Sequence, residues 1–314
     1  MRNLNVYFPV KRWLSKSAYV RAVDNVTFTL HESETLAVVG ESGSGKTTLG
    51  KCCLRLIEPT SGQIVYRGKD ITKIPQKELL WYRKEAQIVY QDPFSSLNPF
   101  FTIRRTIEEP LIVHGVPSGP ERRKMVEAAL EDVKLTPVEN FAEKYPHMLS
   151  GGQRQRVAIA RAMILNPRFV VADEPVSMLD ASVRVEILYL LRQLQEEHKI
   201  SFIYITHDIA TVKYFSERLA IMYAGKLVEV GPIRKVVSDP LHPYTKALIE
   251  AIPDPDPKNR FSLRKVPAGE PPDPTEPPEG CRFSPRCPIA EQVCRSREPQ
   301  LREVEPGRFV ACPP

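Results

Sequence analysis

Residues 40–47 read Gly-Glu-Ser-Gly-Ser-Gly-Lys-Thr, the most informative segment of the chain. It fits the phosphate-binding-loop pattern of a glycine, any four residues, and then glycine, lysine and a hydroxyl side chain. The glycines allow backbone N–H groups to turn inward around phosphate oxygens at the start of a helix. Lys46 is placed to reach the β- and γ-phosphates, and the Thr47 hydroxyl is suited to Mg²⁺. The segment therefore predicts a nucleotide triphosphate site.

The flanks of this loop have the structure that the motif requires. The apolar run Leu36–Val39 precedes it and predicts a buried strand, while Thr48–Ile57 follows with a helical pattern. A glycine-rich turn can match the pattern by chance. A strand directly before and a helix directly after make chance the weaker explanation.

Short apolar runs alternate with helical patterns along the chain to about residue 250. Near-continuous apolar runs are typical of buried strands in a largely parallel sheet. Leu219–Tyr223 and Lys226–Val230, joined through Ala224-Gly225, predict a hairpin. The other predicted strands are Thr35–Val39, Gln87–Tyr90, Phe169–Ala172 and Ser201–Thr206. We therefore predict an α/β domain over residues 1–250.

Length and composition bound the class of protein. The 314 residues have a net charge of +6, and their apolar and charged fractions are ordinary for a globular protein. There is no run of about 18 apolar residues, the length that suggests a membrane-spanning helix. The first twelve residues lack the long apolar core of a signal peptide. We expect a cytoplasmic protein that does not itself span a membrane.

Two adjacent acids, Asp173 and Glu174, follow the apolar run Phe169–Ala172. On their own, two acids at a strand end can simply mark a turn. In a chain that also has a phosphate loop, they predict a catalytic pair. Asp173 would hold Mg²⁺ directly or through water, and Glu174 would be the general base for an attacking water.

The stretch Leu149-Ser150-Gly151-Gly152-Gln153 is a second anion-binding motif. A helix is predicted from Gly152 to about Leu165, so Ser150 and the glycine amides lie at a helix N-terminus. An ordinary N-capped helix would explain these residues locally, but not their spacing from the phosphate loop. With this stretch the whole pattern resembles the ATP-binding-cassette ATPase family, whose signature sequence it is.

The resemblance implies a fold and a pair of cofactors. The fold is an ABC-type P-loop ATPase domain, with a RecA-like core, an antiparallel β subdomain and a helical subdomain at about residues 92–165. The cofactors are ATP and Mg²⁺. In the family, ATP is held between two cassettes, so residues 149–153 meet the γ-phosphate bound by the other subunit. The implied ATP-binding residues are Gly40, Glu41, Ser42, Gly43, Ser44, Gly45, Lys46, Thr47, Thr48 and Tyr19.

Further family motifs follow in the expected order. Gln91 matches the glutamine that senses Mg²⁺ and the attacking water, and Mg²⁺ would thus be shared by Thr47, Gln91 and Asp173. Asp180 matches the aspartate loop that crosses the dimer interface. His207 matches the switch histidine that contacts the γ-phosphate, although a lone histidine after a strand is more often structural. The aromatic residue that stacks on adenine is Tyr19, with Trp13 as its rival.

Three stretches resemble the dipeptide/oligopeptide importer subfamily: Gln91–Pro99, Leu241–Leu248 and Gly280–Pro288. The resemblance implies a subunit that couples ATP hydrolysis to peptide uptake. Importers of oligosaccharide or nickel, and cassette ATPases outside transport, remain alternatives. Ser33 departs from the family, which usually has glycine in the turn before Glu34. The N-terminus is short for the family, so the first strand could be trimmed.

The resemblance also implies partners and a location. The partners are a second ABC ATPase subunit, two transmembrane permease subunits and, indirectly, an extracellular substrate-binding protein, without nucleic acid. A heterodimer of ATPase subunits is favoured, and a homodimer is the alternative. The chain would be peripheral, at the cytoplasmic face of the cell membrane.

The six cysteines are unevenly placed. Cys52 and Cys53 lie in an apolar helical pattern and are predicted to be buried. A proline-rich linker is predicted at 251–279, and a tail at 280–314 contains the remaining four cysteines. Their spacing lacks the tight pairs of zinc sites and better suits an iron–sulfur cluster, and the family resemblance implies a 4Fe–4S cluster. Zinc and free thiols stay as alternatives. The predicted cluster ligands are Cys281, Cys287, Cys294 and Cys312.

Overall fold

A computed structural model describes residues 1–10, 18–117, 119–252 and 269–312. The strands are β1 (Arg2–Val10), β2 (Ala18–Val26), β3 (Thr35–Val39), β4 (Ser61–Gln63), β5 (Val65–Tyr66), β6 (Lys69–Asp70), β7 (Ala86–Val89), β8 (Phe169–Asp173), β9 (Ser201–Thr206), β10 (Arg218–Tyr223), β11 (Lys226–Pro232), β12 (Arg302–Glu305) and β13 (Arg308–Val310). The helices are α1 (Lys46–Cys53), α2 (Leu80–Glu85), α3 (Pro93–Ser96), α4 (Ile103–Val113), α5 (Gly119–Asp132), α6 (Glu139–Ala142), α7 (Gly151–Met163), α8 (Ala181–His198), α9 (Ile209–Val212), α10 (Ile233–Ser238), α11 (Pro243–Glu250) and α12 (Gln292–Ser296).

The chain forms two compact units, and the first contains residues 1–29, 36–73 and 206–314. Five of its strands are neighbours in the order β12-β13-β11-β10-β3. β10 is parallel to β3 and antiparallel to β11, as expected for a hairpin strand beside a buried parallel strand. A separate antiparallel sheet has the order β2-β1-β4. The phosphate loop follows β3, whose five residues are all buried.

The second unit contains residues 30–35 and 74–205. Its strands β9, β8 and β7 are parallel neighbours in that order, and Phe169 pairs with both Ser201 and Ala86. β8 is buried along its whole length, which explains its continuous apolar sequence. The helices α3 to α7 belong to this unit and lie in the region predicted as helical.

The predicted elements correspond closely to the observed ones. The predictions of β3 and β9 match at both ends, and the α/β class is confirmed. α1 begins at Lys46, two residues before the predicted start, because the last residues of the phosphate loop are already helical. The first strand, β1, has nine residues and pairs with β2 and β4.

The cysteine-containing tail contributes strands that the sequence did not predict. β13 pairs with β11, with Val310 opposite Glu229 and Phe309 opposite Val230. The predicted boundaries at 1–250, 251–279 and 280–314 stay a prediction, and residues 253–268 of the linker lie outside the described residues. Within the described ranges, no helix combines the length and apolar character needed to cross a bilayer.

Candidate nucleotide-binding site

Two glycines of the phosphate loop, Gly40 and Gly45, lie in close contact with neighbouring backbone. Gly45 precedes α1 with φ of 101°, a conformation that disfavours other residues. A Cβ on Gly45 would lie 2.0 Å from the carbonyl oxygen of Ala22, and one on Gly40 would lie 2.0 Å from that of Met222. Both positions therefore require glycine for steric reasons, whether or not nucleotide binds.

Lys46 lies inside the loop and is only 5% exposed. Its Nζ donates hydrogen bonds to the carbonyl oxygens of Gly40 at 2.8 Å and Glu41 at 2.9 Å. The ammonium group is thus held among the backbone groups of the loop, at the N-terminus of α1. Thr47 is exposed on the first turn of that helix, and Thr48 is half-buried. A positive charge and helix amides together favour an anion here.

Two contacts hold the loop from outside. The Gly225 N–H, in the turn between β10 and β11, donates to the Ser44 carbonyl at 2.8 Å. The Glu41 N–H donates to the Tyr244 hydroxyl at 3.0 Å. Tyr19, the predicted adenine-stacking residue, is 51% exposed on β2 of the same unit. Its rival Trp13 lies outside the described residues.

The predicted catalytic pair ends β8 in the second unit. Asp173 is the last residue of the strand and is 5% exposed. Glu174 has φ of 47°, and its N–H donates to the Ile205 carbonyl at 2.9 Å. A positive φ is costly for glutamate, and such strain concentrates at functional sites.

Gln91 is brought to this pair by the strand that precedes it. Its Nε2 donates to Glu174 Oε2 at 3.1 Å, across 83 residues of sequence. The structure therefore brings together two of the residues that the sequence predicted to act on the attacking water. His207 belongs to the first unit, where it is exposed directly after β9.

The signature stretch forms a complete helix cap. Ser150 Oγ accepts from the Gln153 N–H at 3.3 Å, and Gln153 Oε1 accepts from the Ser150 N–H at 3.0 Å. This capping box leaves the amides of Gly151 and Gly152 at the start of α7, and Leu149, which precedes the cap, is buried. Asp180 precedes α8 and is exposed.

The four tail cysteines are half-buried, and none forms a disulfide. The N–H of Cys281 donates to the Cys294 carbonyl at 2.7 Å, and the N–H of Ser284 donates to the Cys281 carbonyl at 2.9 Å. Burial, followed by the neighbouring Cys281, Cys287 and Cys294, raises the pKa of Cys312 to about 11.

The iron–sulfur prediction receives no support from a metal-site geometry. Among the described residues, no group of three or more His, Cys, Asp or Glu side chains is arranged to hold a metal ion. The thiols are close enough to influence one another's pKa values, but they do not converge on one point as the ligands of a zinc ion do. Cys52 and Cys53 are fully buried, as predicted.

Sequence reasoning missed two residues that contact the phosphate loop. Tyr244 bonds the Glu41 backbone, and Arg286 forms an ion pair with the Glu41 carboxylate. Both residues lie in stretches that resemble the peptide-importer subfamily, but no local pattern connects those stretches to residue 41. Only the fold brings them together.

Comparisons with known proteins identify the family of the chain. The family described as ABC transporter matches residues 23–177, and the oligopeptide/dipeptide transporter C-terminal region matches residues 228–294. The oligopeptide transport ATP-binding protein AppF of Bacillus subtilis (strain 168) is 44% identical over 318 residues, covering 99% of this chain and 95% of AppF. The dipeptide transport ATP-binding protein DppF of Haemophilus influenzae (strain ATCC 51907 / DSM 11121 / KW20 / Rd) is 44% identical over 310 residues, covering 98% and 94% of the two chains.

A solved structure supports the fold. The dimeric ATP-binding cassette MJ0796, in a post-hydrolysis state bound to ADP and Pi, is 33% identical with a TM-score of 0.66, covering 74% of this chain and 97% of that one. The similarity to AppF and DppF extends over nearly the full length of the chain, so it includes the phosphate loop, the signature and the tail. The chain therefore belongs to the ATP-binding-cassette transporter family, with the C-terminal region of its oligopeptide/dipeptide branch.

Proposed function

We propose that this chain is the ATP-hydrolysing subunit of an importer that carries dipeptides or oligopeptides across the cytoplasmic membrane. ATP hydrolysis is supported mainly by the hydrogen bond between Gln91 and Glu174 at the end of β8, in a chain with an intact phosphate loop. The peptide substrate class is supported by the transport names of AppF and DppF.

The residues of the chain have distinct roles in the reaction. The amides of residues 40–48 and the Lys46 ammonium hold the phosphates, and Tyr19 stacks on adenine. Glu174 accepts a proton from the attacking water, which Gln91 orients. His207 contacts the γ-phosphate. Thr47, Gln91 and Asp173 would hold Mg²⁺, which would supply positive charge to neutralise the charge that develops on the phosphates.

A second cassette completes the site. Residues 149–153 present the N-terminus of α7 to the ATP bound by the partner, and Asp180 lies at the interface between the subunits. The dimeric state of the MJ0796 cassette supports this arrangement. ATP then favours the closed pair and its products do not, so each cycle moves two permease subunits. The subfamily resemblance favours two different ATPase chains, bound at the cytoplasmic face of the membrane and supplied by an extracellular binding protein.

Replacing Glu174 tests the proposed base. In the assembled transporter we expect Glu174→Gln to bind MgATP with wild-type affinity but to hydrolyse it at least about 100-fold more slowly, because the proton acceptor is lost. Glu131→Gln, at an exposed position on α5, removes one carboxylate as a control and should hydrolyse normally. Near-normal turnover in Glu174→Gln would refute the assignment. Stimulation of hydrolysis by a sugar-loaded rather than a peptide-loaded binding protein would refute the substrate class.

We propose separately that the four tail cysteines bind a 4Fe–4S cluster. Four unpaired thiols that lie near enough to raise one another's pKa values support this proposal, since an iron–sulfur cluster is held by cysteine thiolates. A cluster of several iron atoms also holds its ligands farther apart than one ion does. Protein purified without oxygen should contain iron and acid-labile sulfide. Zinc, or neither element, in that preparation overturns the proposal.

A further inference from the structure

Three separate stretches of sequence meet at one residue of the phosphate loop. Glu41 is contacted by Tyr244 from the Leu241–Leu248 stretch and by Arg286 from the Gly280–Pro288 stretch. All three belong to the first unit. The proposed reaction gives neither Tyr244 nor Arg286 a role, so their contacts need a separate explanation.

Arg286 binds the Glu41 side chain with two close contacts. Its Nη1 lies 3.0 Å from Glu41 Oε2 and 3.2 Å from Oε1, and 3.3 Å from the Tyr223 hydroxyl oxygen. The Arg286 side chain is 8% exposed and that of Glu41 31%. An ion pair shielded from water in this way interacts more strongly than an exposed one.

Aromatic packing fixes the position of the arginine. Phe283 is fully buried, with its ring centroid 5.3 Å from that of Tyr223 and 5.4 Å from that of Tyr244. Arg286 lies over the rings of Tyr223 and Phe283. The Tyr244 hydroxyl accepts the Glu41 N–H at 3.0 Å, so the backbone and the side chain of Glu41 are held by the same cluster.

A second arginine of the tail contacts the turn that is hydrogen-bonded to the loop. Arg282 donates to the Ala224 carbonyl and to the Asp24 carboxylate. The next residue, Gly225, donates its N–H to the Ser44 carbonyl at 2.8 Å. The tail thus supports the loop at Glu41 directly and at Ser44 through one intermediate turn.

We propose that Arg286 is a positioning residue for nucleotide binding, through which the cysteine-containing tail controls the conformation and charge of the phosphate loop. The inference rests on the proposed role of residues 40–47 in holding ATP. Without Arg286, the Glu41 carboxylate stays uncompensated beside the site of an anionic ligand. Glu41 also loses the ion-pair partner that holds its side chain in place.

The first test is MgADP affinity, measured by calorimetry on the assembled transporter. We expect Arg286→Gln to weaken MgADP binding about tenfold. Adding Glu41→Gln to that variant should cause no further loss, because the unpaired charge is removed. Arg295→Gln, an exposed arginine in the same tail, should bind as the wild type does. Affinity within about twofold of wild type in Arg286→Gln, or losses that add in the double variant, overturn the proposal.

The second test separates positioning from general damage to the fold. In ATP hydrolysis, Arg286→Gln should raise KM while kcat stays within about twofold, since Arg286 does not contact the reacting atoms. Reversing the pair with Glu41→Lys and Arg286→Glu should restore part of the lost affinity relative to Arg286→Glu alone. Absence of any restoration, with an unchanged Tm, also overturns the proposal. A wild-type protein that binds no nucleotide would instead refute the proposed function itself.

Discussion

Gly151 and Gly152 are adjacent in the first turn of α7, but their surroundings differ. A Cβ on Gly152 would lie 2.6 Å from Val183 Cγ1 of α8, closer than side-chain atoms can approach. A Cβ on Gly151 would lie 3.6 Å from Leu179 Cδ2, an ordinary contact. Gly152 therefore allows α7 and α8 to pack closely, whereas the role proposed for Gly151 lies in its backbone N–H.

The two glycines give a matched pair of alanine variants. Gly152→Ala should lower the free energy of unfolding by about 1–3 kcal/mol, because Val183 or the helix must move. Gly151→Ala should leave it unchanged or raise it by up to about 1 kcal/mol, since alanine favours helix. Urea denaturation monitored by circular dichroism measures both. Equal losses in the two variants would contradict the packing role given to Gly152.

The structure around Ser33 explains why serine is tolerated where the family usually has glycine. The φ of Ser33 is 56°, which glycine adopts without strain. The Ser33 N–H donates to Ser201 Oγ at 3.0 Å, a bond that glycine could also make. The Ser33 Oγ donates to the Lys199 carbonyl at 3.2 Å, and this second bond requires the serine side chain. The side-chain bond offsets part of the conformational cost of the turn.

At the scale of elements, α11 is capped by a buried histidine. His242 is 1% exposed, and its Nδ1 accepts the Tyr244 N–H at 3.0 Å. Burial lowers the pKa of His242 to about 4, from an ordinary value of 6.5. The imidazole is therefore neutral in the folded protein under conditions where the unfolded chain binds a proton.

This cap makes stability depend on pH below 7. The histidine pKa is lower in the folded state, so stability is full above about pH 6.5 and falls as pH decreases towards 4. At about 1.4 kcal/mol per pKa unit, the loss reaches about 2 kcal/mol at pH 5. His242→Asn retains a capping acceptor without titrating. The difference in unfolding free energy between the two proteins should shrink between pH 7 and 5, and a constant difference would contradict this prediction.

The elements that the sequence predicted well are those with a local signal. β3 and β9 are buried on both faces and therefore appear as uninterrupted apolar runs. β12 is mostly exposed and has the sequence Arg-Glu-Val-Glu, so its apolar content does not predict a strand. Its structure depends on pairing with β13, which no local pattern shows.

The candidate site also contains some features with a local sequence signal and others without one. The phosphate loop, the catalytic pair and the signature are each short motifs whose chemistry requires fixed spacing. The ion pair between Glu41 and Arg286 joins residues 245 apart, and the contact between Gln91 and Glu174 was not predicted, although each was assigned a role towards the attacking water. Contacts of this kind follow from the topology and could not be derived from the residues themselves.

At the scale of the whole molecule, a buried ion pair attaches the tail to the first unit. Arg308 of β13 is 1% exposed, and Glu229 of β11 is fully buried. Arg308 Nη2 lies 3.2 Å from Glu229 Oε1, and Glu229 Oε2 also accepts the His242 N–H at 2.9 Å. The same carboxylate thus joins the tail to the start of α11.

Removing one member of this pair should destabilise the molecule strongly. Arg308→Ala leaves the Glu229 charge buried without its cation, and we expect the free energy of unfolding to fall by about 3–5 kcal/mol. Arg302→Ala, at an exposed position on β12, should change it by no more than about 0.5 kcal/mol. Denaturant unfolding measures both variants. A small loss in Arg308→Ala would mean that the tail contributes little to the stability of the unit.

The pairing of β13 with β11 also determines when the edge of β11 is covered during synthesis of the chain. The first unit combines residues 36–73 with residues 206–312, so β3 leaves the ribosome long before its neighbour β10 exists. Until residue 310 has emerged, β11 presents an open backbone edge to other nascent chains. Translation that stops before residue 308 would release a polypeptide with that edge uncovered, prone to aggregation rather than to assembly.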